Sequence, residues 1–286
     1  MERYIPASFG WRQDLPDFRD FTHETSTVTR ALRGLKGRRS SKASRARKAR
    51  IDLREYFPEP FDQGPLPASP AHACAGLIEY FERRSHGQEV RPSLLFLHQT
   101  AHRMAGVPPG DDVNLRDTLK AVICCGLPPE RLWPYDPANV DVPPDAFLYS
   151  FAARFQQLQY VRLDLRNQSG GAALDVVRSF LAAGFPCAFG FAVPTSVSHA
   201  AEIPYRPTFD AVLAGQAVVA VGYDDRWLSG SRGALLVRNS WGAGWGEDGC
   251  GWLPYAYVEE RLALDFWTLL RPDWLDSGEF LCPSVV

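Results

Sequence analysis

The chain of 286 residues contains no apolar stretch close to the roughly 20 residues needed to span a bilayer, which argues against a transmembrane helix. Cysteine is sparse as well. Cys74, Cys124, Cys125, Cys187, Cys250 and Cys282 include no CxxC pair, so neither a disulfide framework nor a metal site is expected, and the thiols read as mostly buried. No internal repeat is present. The N-terminal stretch "MERYIPASFGWRQDLPDFRDF" has early acids and no continuous apolar core, unlike a secretory signal, so a soluble cytoplasmic protein without membrane association or cofactor is expected. Charge is nearly balanced, at −2 overall, but unevenly placed: the first 50 residues carry a net +8 and the rest a net −10. Most of the excess lies in "TRALRGLKGRRSSKASRARKAR", residues 29 to 50, which lacks a stable apolar period and reads as a solvated, flexible linker. No aromatic residues interleave with those basic side chains, so nucleic acid is not an expected partner.

With 45% hydrophobic residues the chain can bury a substantial core. Pro58 and Pro60 mark an extended approach to a helix that begins near Ser69. Ala71, Cys74, Ala75, Ile78 and Phe81 or Glu82 follow the spacing of one buried face, with Glu82, Arg83 and Arg84 closing it in solvent. Ser69 suits the N-cap, a role worth about 1 kcal/mol, and Pro70 the first helical turn. Further helices are expected at "PSLLFLHQTAHRMAG", "NLRDTLKAVICCG" and "LDVVRSFLAAG". Later the pattern changes to short apolar runs, "FPCAFGFAV", "GQAVVAVGYDD", "GALLVRNSWG" and "GCGWLPYAYV", separated by turn residues as strands would be. Helices first and strands second predict an α+β chain: a basic N-terminal segment over 1–50, a helical domain over 51–165 and a β-rich domain over 166–286.

"RNSWGAGWGEDGCGWLPYAYV" resembles the asparagine-containing signature of the papain-like cysteine peptidases, and "FDQG" followed by a helix resembles their nucleophile region. "GWRQDLPDFRDF", "DDVNLRDTLKAVICCGLPPERLWPYD" and "LALDFWTLL" extend the resemblance over most of the chain. It implies a two-domain papain-like fold, helical on one side and β-barrel-like on the other, with a cleft between. In that family a cysteine at a helix N-terminus attacks, a histidine from the facing domain is the base, an asparagine orients it and a glutamine donates to the oxyanion.

Carried over by position, Gln63 matches the glutamine, and Asn239 and Trp241 match the orienting asparagine and the tryptophan that shields it. The nucleophile's place, six residues after Gln63, is held by Ser69. Cys74, five residues further on, is turned by about 500° and raised by about 7.5 Å on a helix, which assigns it to the core. The histidine's place is held by Gln216, whose carboxamide accepts no proton in a useful pH range. None of His23, His72, His86, His98, His102 and His199 falls at that position; His72, one turn beyond Ser69, is the best local substitute, although a helix-surface or core role fits it better.

The expected degenerate site is therefore Gln63, Ser69, Gln216 and Asn239, flanked in the cleft by Trp241, Gly64, His72 and Gly215. One reading is a pseudopeptidase whose cleft binds a peptide-like or acyl ligand or a partner protein. A second is a repurposed enzyme of bacterial specialised metabolism, in which Ser69, Gln216 and Gln63 donate hydrogen bonds to an oxyanion in cyclisation, isomerisation or acyl chemistry. A third, an active peptidase with an introduced Ser69, is opposed by Gln216.

Overall fold

The computed structural model describes residues 8–35, 48–152, 155, 157–227 and 232–286. Its elements follow the order α1 (Ser26–Gly34), β1 (Arg50–Asp52), α2 (Ser69–His86), α3 (Leu94–Ala105), α4 (Leu115–Cys125), α5 (Ala146–Phe151), β2 (Gln159–Arg162), α6 (Gly170–Ala182), β3 (Cys187–Pro194), β4 (Val212–Asp224), β5 (Ala234–Arg238), β6 (Cys250–Pro254), α7 (Ala256–Glu259), β7 (Ala263–Leu270) and α8 (Pro272–Asp276). Helices do precede most strands, giving mixed α+β architecture. The sheet is antiparallel and runs open in the order β2-β7-β3-β4-β5-β6, with β1 added on β4, so the expected barrel-like closure is absent. β1 and β2 join this sheet from chain that lies within residues 50–165.

The central helix α2 is buried on every side from Ser69 to Glu82, not along one stripe. α3, α4, α8, β3 and β4 all pack on it. The expectation that Glu82 is solvated fails for this reason: the carboxylate is buried and ion-pairs with Arg271 Nη1 at 2.8 Å. β4 is buried continuously from Gln216 to Tyr223. Successive strand residues face opposite ways, so both faces are covered, which explains its near-unbroken apolar run. Side-chain caps set α3 and α4: Ser93 Oγ accepts from Phe96 N for α3, and Asn114 Oδ1 accepts from Asp117 N for α4.

Two local expectations are corrected. "PYAYV" leaves the sheet after Pro254 and turns into α7, because proline offers no ladder donor and Tyr255 already has helical backbone angles. Part of the basic stretch is ordered, since α1 covers Ser26–Gly34 and buries Val28 and Leu32. Residues 36–47 of that stretch lie outside the described residues.

Residues 8–12 form an extended strap between the helical side and the sheet. Trp11 N donates to Gly215 O at 3.0 Å, Val113 N donates to Gly10 O at 3.0 Å and Arg12 N donates to Val113 O at 3.2 Å. The Trp11 ring occupies a slot that exists because Gly190 and Gly215 lack side chains: a Cβ at either would lie within 2.6 Å of Trp11 atoms. Gly10 has φ +128 and passes so near Pro67 that a Cβ there would meet its carbonyl oxygen at 2.3 Å.

The far end of α2 is held by aromatic packing. Phe81 is fully buried and stacks on Trp274 at 4.8 Å with 8° between the planes. Phe81→Ala is expected to destabilise the fold by about 3–5 kcal/mol in urea unfolding, and a loss below about 1 kcal/mol would show that α8 does not anchor the helix.

Candidate functional site

Ser69 opens α2, Gln216 lies on β4, Asn239 follows β5 and Gln63 belongs to the loop before α2; all four are buried. The fold thus brings together the residues expected from the sequence. Ser69 is not the N-cap, however. That position belongs to Ala68, whose side chain cannot cap, and Ser69 Oγ instead accepts a hydrogen bond from Ala217 N at 3.1 Å, tying the helix start to the sheet.

Gln216, at the position the sequence resemblance gives to the histidine, faces Asn239. Its Nε2 donates to Asn239 Oδ1 at 2.9 Å, Gln63 Oε1 at 3.0 Å and Ser240 Oγ at 3.2 Å. Ser240 Oγ donates to Gln63 Oε1 at 2.6 Å, and Ser240 N donates to Asn239 Oδ1 at 2.8 Å. Two atoms of the cluster have no hydrogen-bond partner among the described residues: Gln216 Oε1, an acceptor, and Asn239 Nδ2, a donor.

The strap consumes the donor capacity expected of Gln63. Gln63 Nε2 donates to Phe9 O at 2.7 Å, to Ser8 Oγ at 2.9 Å and to Leu66 O at 3.1 Å, and Ser69 N donates to Phe9 O at 3.4 Å. The Phe9 carbonyl therefore lies between the glutamine side chain and the first N–H of α2, the pair of donors that an oxyanion would need. Ser8 Oγ donates in turn to Gly64 O at 2.8 Å, and the Phe9 ring meets Trp241 edge-on at 6.4 Å. Gly215 receives Trp11, as described above. Three of the expected cleft residues, Gly64, Trp241 and Gly215, thus contact the strap. Sequence reading missed Ser240, Ser8, Phe9 and Trp11 as members of the site; the signal available was a glycine at each of positions 10, 190 and 215, where the strap presses on its surroundings.

His72 belongs to a different environment. Its Nδ1 lies 2.9 Å from Ala68 O and donates to it, its ring meets Tyr135 edge-on at 5.2 Å, and Tyr135 Oη donates to Gln63 O at 2.8 Å. Burial pushes its pKa down to about 4, which keeps the ring neutral, and Nε2 is buried without a partner. Among the described residues no imidazole nitrogen hydrogen-bonds Ser69 Oγ: His98 and His102 bond backbone carbonyls, His86 contacts Asp273, and His199 is in an exposed loop. Cys74 is fully buried, and that burial raises its thiol pKa far above the ordinary value, so no thiolate forms there. No group of three metal-binding side chains is assembled among the described residues, and no helix among them is long and apolar enough to cross a membrane.

No protein-family model matches the chain. It is 29% identical over 217 residues to an uncharacterized peptidase C1-like protein of Acanthamoeba polyphaga mimivirus, covering 73% of this chain and 68% of the viral one. Among solved structures it is similar to xylellain, a cysteine protease from Xylella fastidiosa, with 28% identity and a TM-score of 0.73 over 95% of this chain and 98% of that one. Procathepsin L2 proteinase from the larval midgut of Tenebrio molitor shares the fold at 19% identity and a TM-score of 0.65, covering 93% and 78% of the two chains. Built on an open antiparallel sheet facing a buried central helix, the chain has the papain-like fold and is similar in sequence to the viral peptidase C1-like protein and to xylellain.

Proposed function

We propose that this chain is a papain-fold protein that has lost peptide hydrolysis and uses its interdomain cleft to hold an extended peptide-like segment, in the resting state its own residues 8–12. The observation that carries the proposal is the bond from Gln216 Nε2 to Asn239 Oδ1: a carboxamide holds the position of the base and takes no proton from Ser69. An unassisted hydroxyl is a poor nucleophile near neutral pH. The strap supports the binding half of the reading, since the Phe9 carbonyl, the Trp11 ring and the Gly10 backbone engage both sides of the cleft.

Oxyanion chemistry by neutral donors is less well supported. Gln63 Nε2 and Gln216 Nε2 are both engaged within the protein, and the Asn239 Nδ2 hydrogens are the part of the cluster left for a ligand.

The unaltered chain is expected to release no product from a mixed library of fluorogenic peptides, and Ser69→Cys is expected to remain inactive because it restores a thiol without a base. Robust hydrolysis by the unaltered chain, or recovery by Ser69→Cys alone, would overturn the proposal. A fluorescent peptide with the sequence of residues 8–12, SFGWR, tests the binding half. Gly10→Ala drives a methyl group into the Pro67 carbonyl, so the strap variant is expected to bind that peptide at least about tenfold more tightly than the unaltered chain, a shift of about 1.4 kcal/mol. Equal affinities by fluorescence anisotropy would mean that the cleft does not accept a peptide in place of the strap.

A further inference from the structure

Beyond the cleft, the strap is fastened by a buried knot of charge. Asp14 N donates to Asp265 Oδ2 at 2.7 Å, while the Asp14 carboxylate accepts from Trp267 Nε1 at 2.8 Å and Arg116 N at 3.4 Å. Arg116 grips the following residues, donating to Leu15 O at 2.6 Å and to both Asp20 oxygens at 2.8 and 2.6 Å. On the sheet side, Arg162 Nη2 donates to Asp265 Oδ1 at 2.6 Å and Arg162 pairs with Asp164 at 3.2 Å. Asp164 also accepts the N–H groups of residues 265 and 266, each at 2.9 Å.

Four carboxyl groups, Asp14, Asp20, Asp164 and Asp265, thus face two guanidinium groups, Arg116 and Arg162. Further cations lie at the margin of the knot: Arg19 pairs with Asp17 and feels the charge of Asp20, and Arg166 and Arg261 line the adjoining cavity, where Arg261 donates to Gln168 O at 2.8 Å. α2 presents the Cys74 thiol to Asp14, β3 presents the Cys187 thiol to Asp164, β2 turns Tyr160 toward Asp20, and burial holds each of these in its neutral form. His23, the remaining titratable neighbour of Asp164, has its pKa lowered by burial and favours the neutral ring. Asp17 is engaged by Arg19 on the outside, and Asp117 by Lys120. With every carboxyl ionised the knot holds two uncompensated negative charges in a low-dielectric interior. A cavity of about 650 Å³ borders Asp14, Asp20, Arg162 and Asp164 and gives a proton a route to solvent.

We propose that the strap is a proton-controlled cover of the cleft, held while the Asp14 and Asp265 carboxyl groups carry one proton between them and loosened when that proton leaves. The inference rests on the reading of residues 8–12 as the cleft's resident segment. Burial, followed by the neighbouring charge of Asp14, pushes the Asp265 pKa up to about 7, and burial raises that of Asp14 as well. Lifting the strap removes Asp14 and admits water, returning Asp265 toward the ordinary carboxylate value of about 3.9. The covered state therefore binds more protons than the open state between these two values. Its advantage is whole below about pH 4 and is lost as pH rises through about 7.

Hydrogen–deuterium exchange of the full chain from about pH 5 to about pH 8, corrected for intrinsic exchange, tests this. Protection of the amides in residues 8–20 is expected to fall at least about tenfold across that range while that of β4 and β5 does not. Asp265→Asn removes one buried charge, and asparagine tolerates the φ of 61° at this position, so the variant is expected to flatten the dependence; Asp14→Asn is the second such variant. A strap whose protection in the unaltered chain is flat with pH overturns the proposal, as does a dependence undiminished in both variants. Should neither variant fold, the unaltered chain decides alone. Exchange is read without any substrate, so a flat profile leaves the non-hydrolytic reading standing, and detection of proteolysis leaves the exchange result standing.

Discussion

The orientation of one buried amide governs the arrangement of the site. Gln63 Nε2 faces the backbone carbonyls of Phe9 and Leu66, which can only accept. Its Oε1 then points toward the sheet, where it accepts from Ser240 Oγ and from the NH₂ end of Gln216. Asn239 Oδ1, fixed by the N–H of Ser240, accepts from the same NH₂ end. A chain of backbone groups thus settles which end of each carboxamide faces which neighbour. The strap is part of that logic as well as a filler of the cleft, since without Phe9 O the Gln63 amide loses one of the acceptors that hold it in place.

The strap also couples two parts of the molecule that meet at α2 and at the Gln63 loop. It bonds Val113 just before α4 on one side and Gly215 on β4 on the other, and it ends in the Asp14 and Asp265 contact. Movement of residues 8–12 would therefore alter both the donor set around Ser69 and the charge balance among Asp14, Asp164 and Asp265. That link is local and contiguous, carried by hydrogen bonds of 2.7 to 3.4 Å from Gln63 through Phe9 to Asp14.

Much of this was legible in the sequence where one residue speaks for itself. Ser69 and Gln216, at the positions the resemblance gives to the nucleophile and the base, could be located by counting, because the motifs around Gln63 and Asn239 fix the register. α3, α4, α6 and the strands β3 to β5 follow from periodicity and punctuation. What escaped depended on contacts distant in sequence. Glu82 reads as a solvated helix end until Arg271, some 190 residues away, is brought to it. Ser69 reads as a cap because serine before proline usually is one, yet the Ala217 N–H from the sheet claims its oxygen. α1 was hidden by its basic surroundings, its burial resting on two positions, Val28 and Leu32. The role of residues 8–12 had no local signature, only small residues at three separated places.

The choice of glutamine at 216 argues that the network is retained for structural reasons. An apolar side chain of similar volume at 216 would leave Asn239 Oδ1 with the Ser240 N–H and Gln63 Oε1 with the Ser240 hydroxyl, each one hydrogen bond fewer than Gln216 provides in this buried site. A typical intramolecular hydrogen bond contributes a net of about 0.5–1.5 kcal/mol. A glutamine reaches both oxygens with one NH₂ group while staying neutral, so it supplies both hydrogen bonds without titrating. Two atoms of the cluster, Gln216 Oε1 and Asn239 Nδ2, are left without a partner among the described residues. Polar character at this position is accordingly a consequence of the surrounding Gln63, Asn239 and Ser240 scaffold, and it requires no catalytic turnover to account for it.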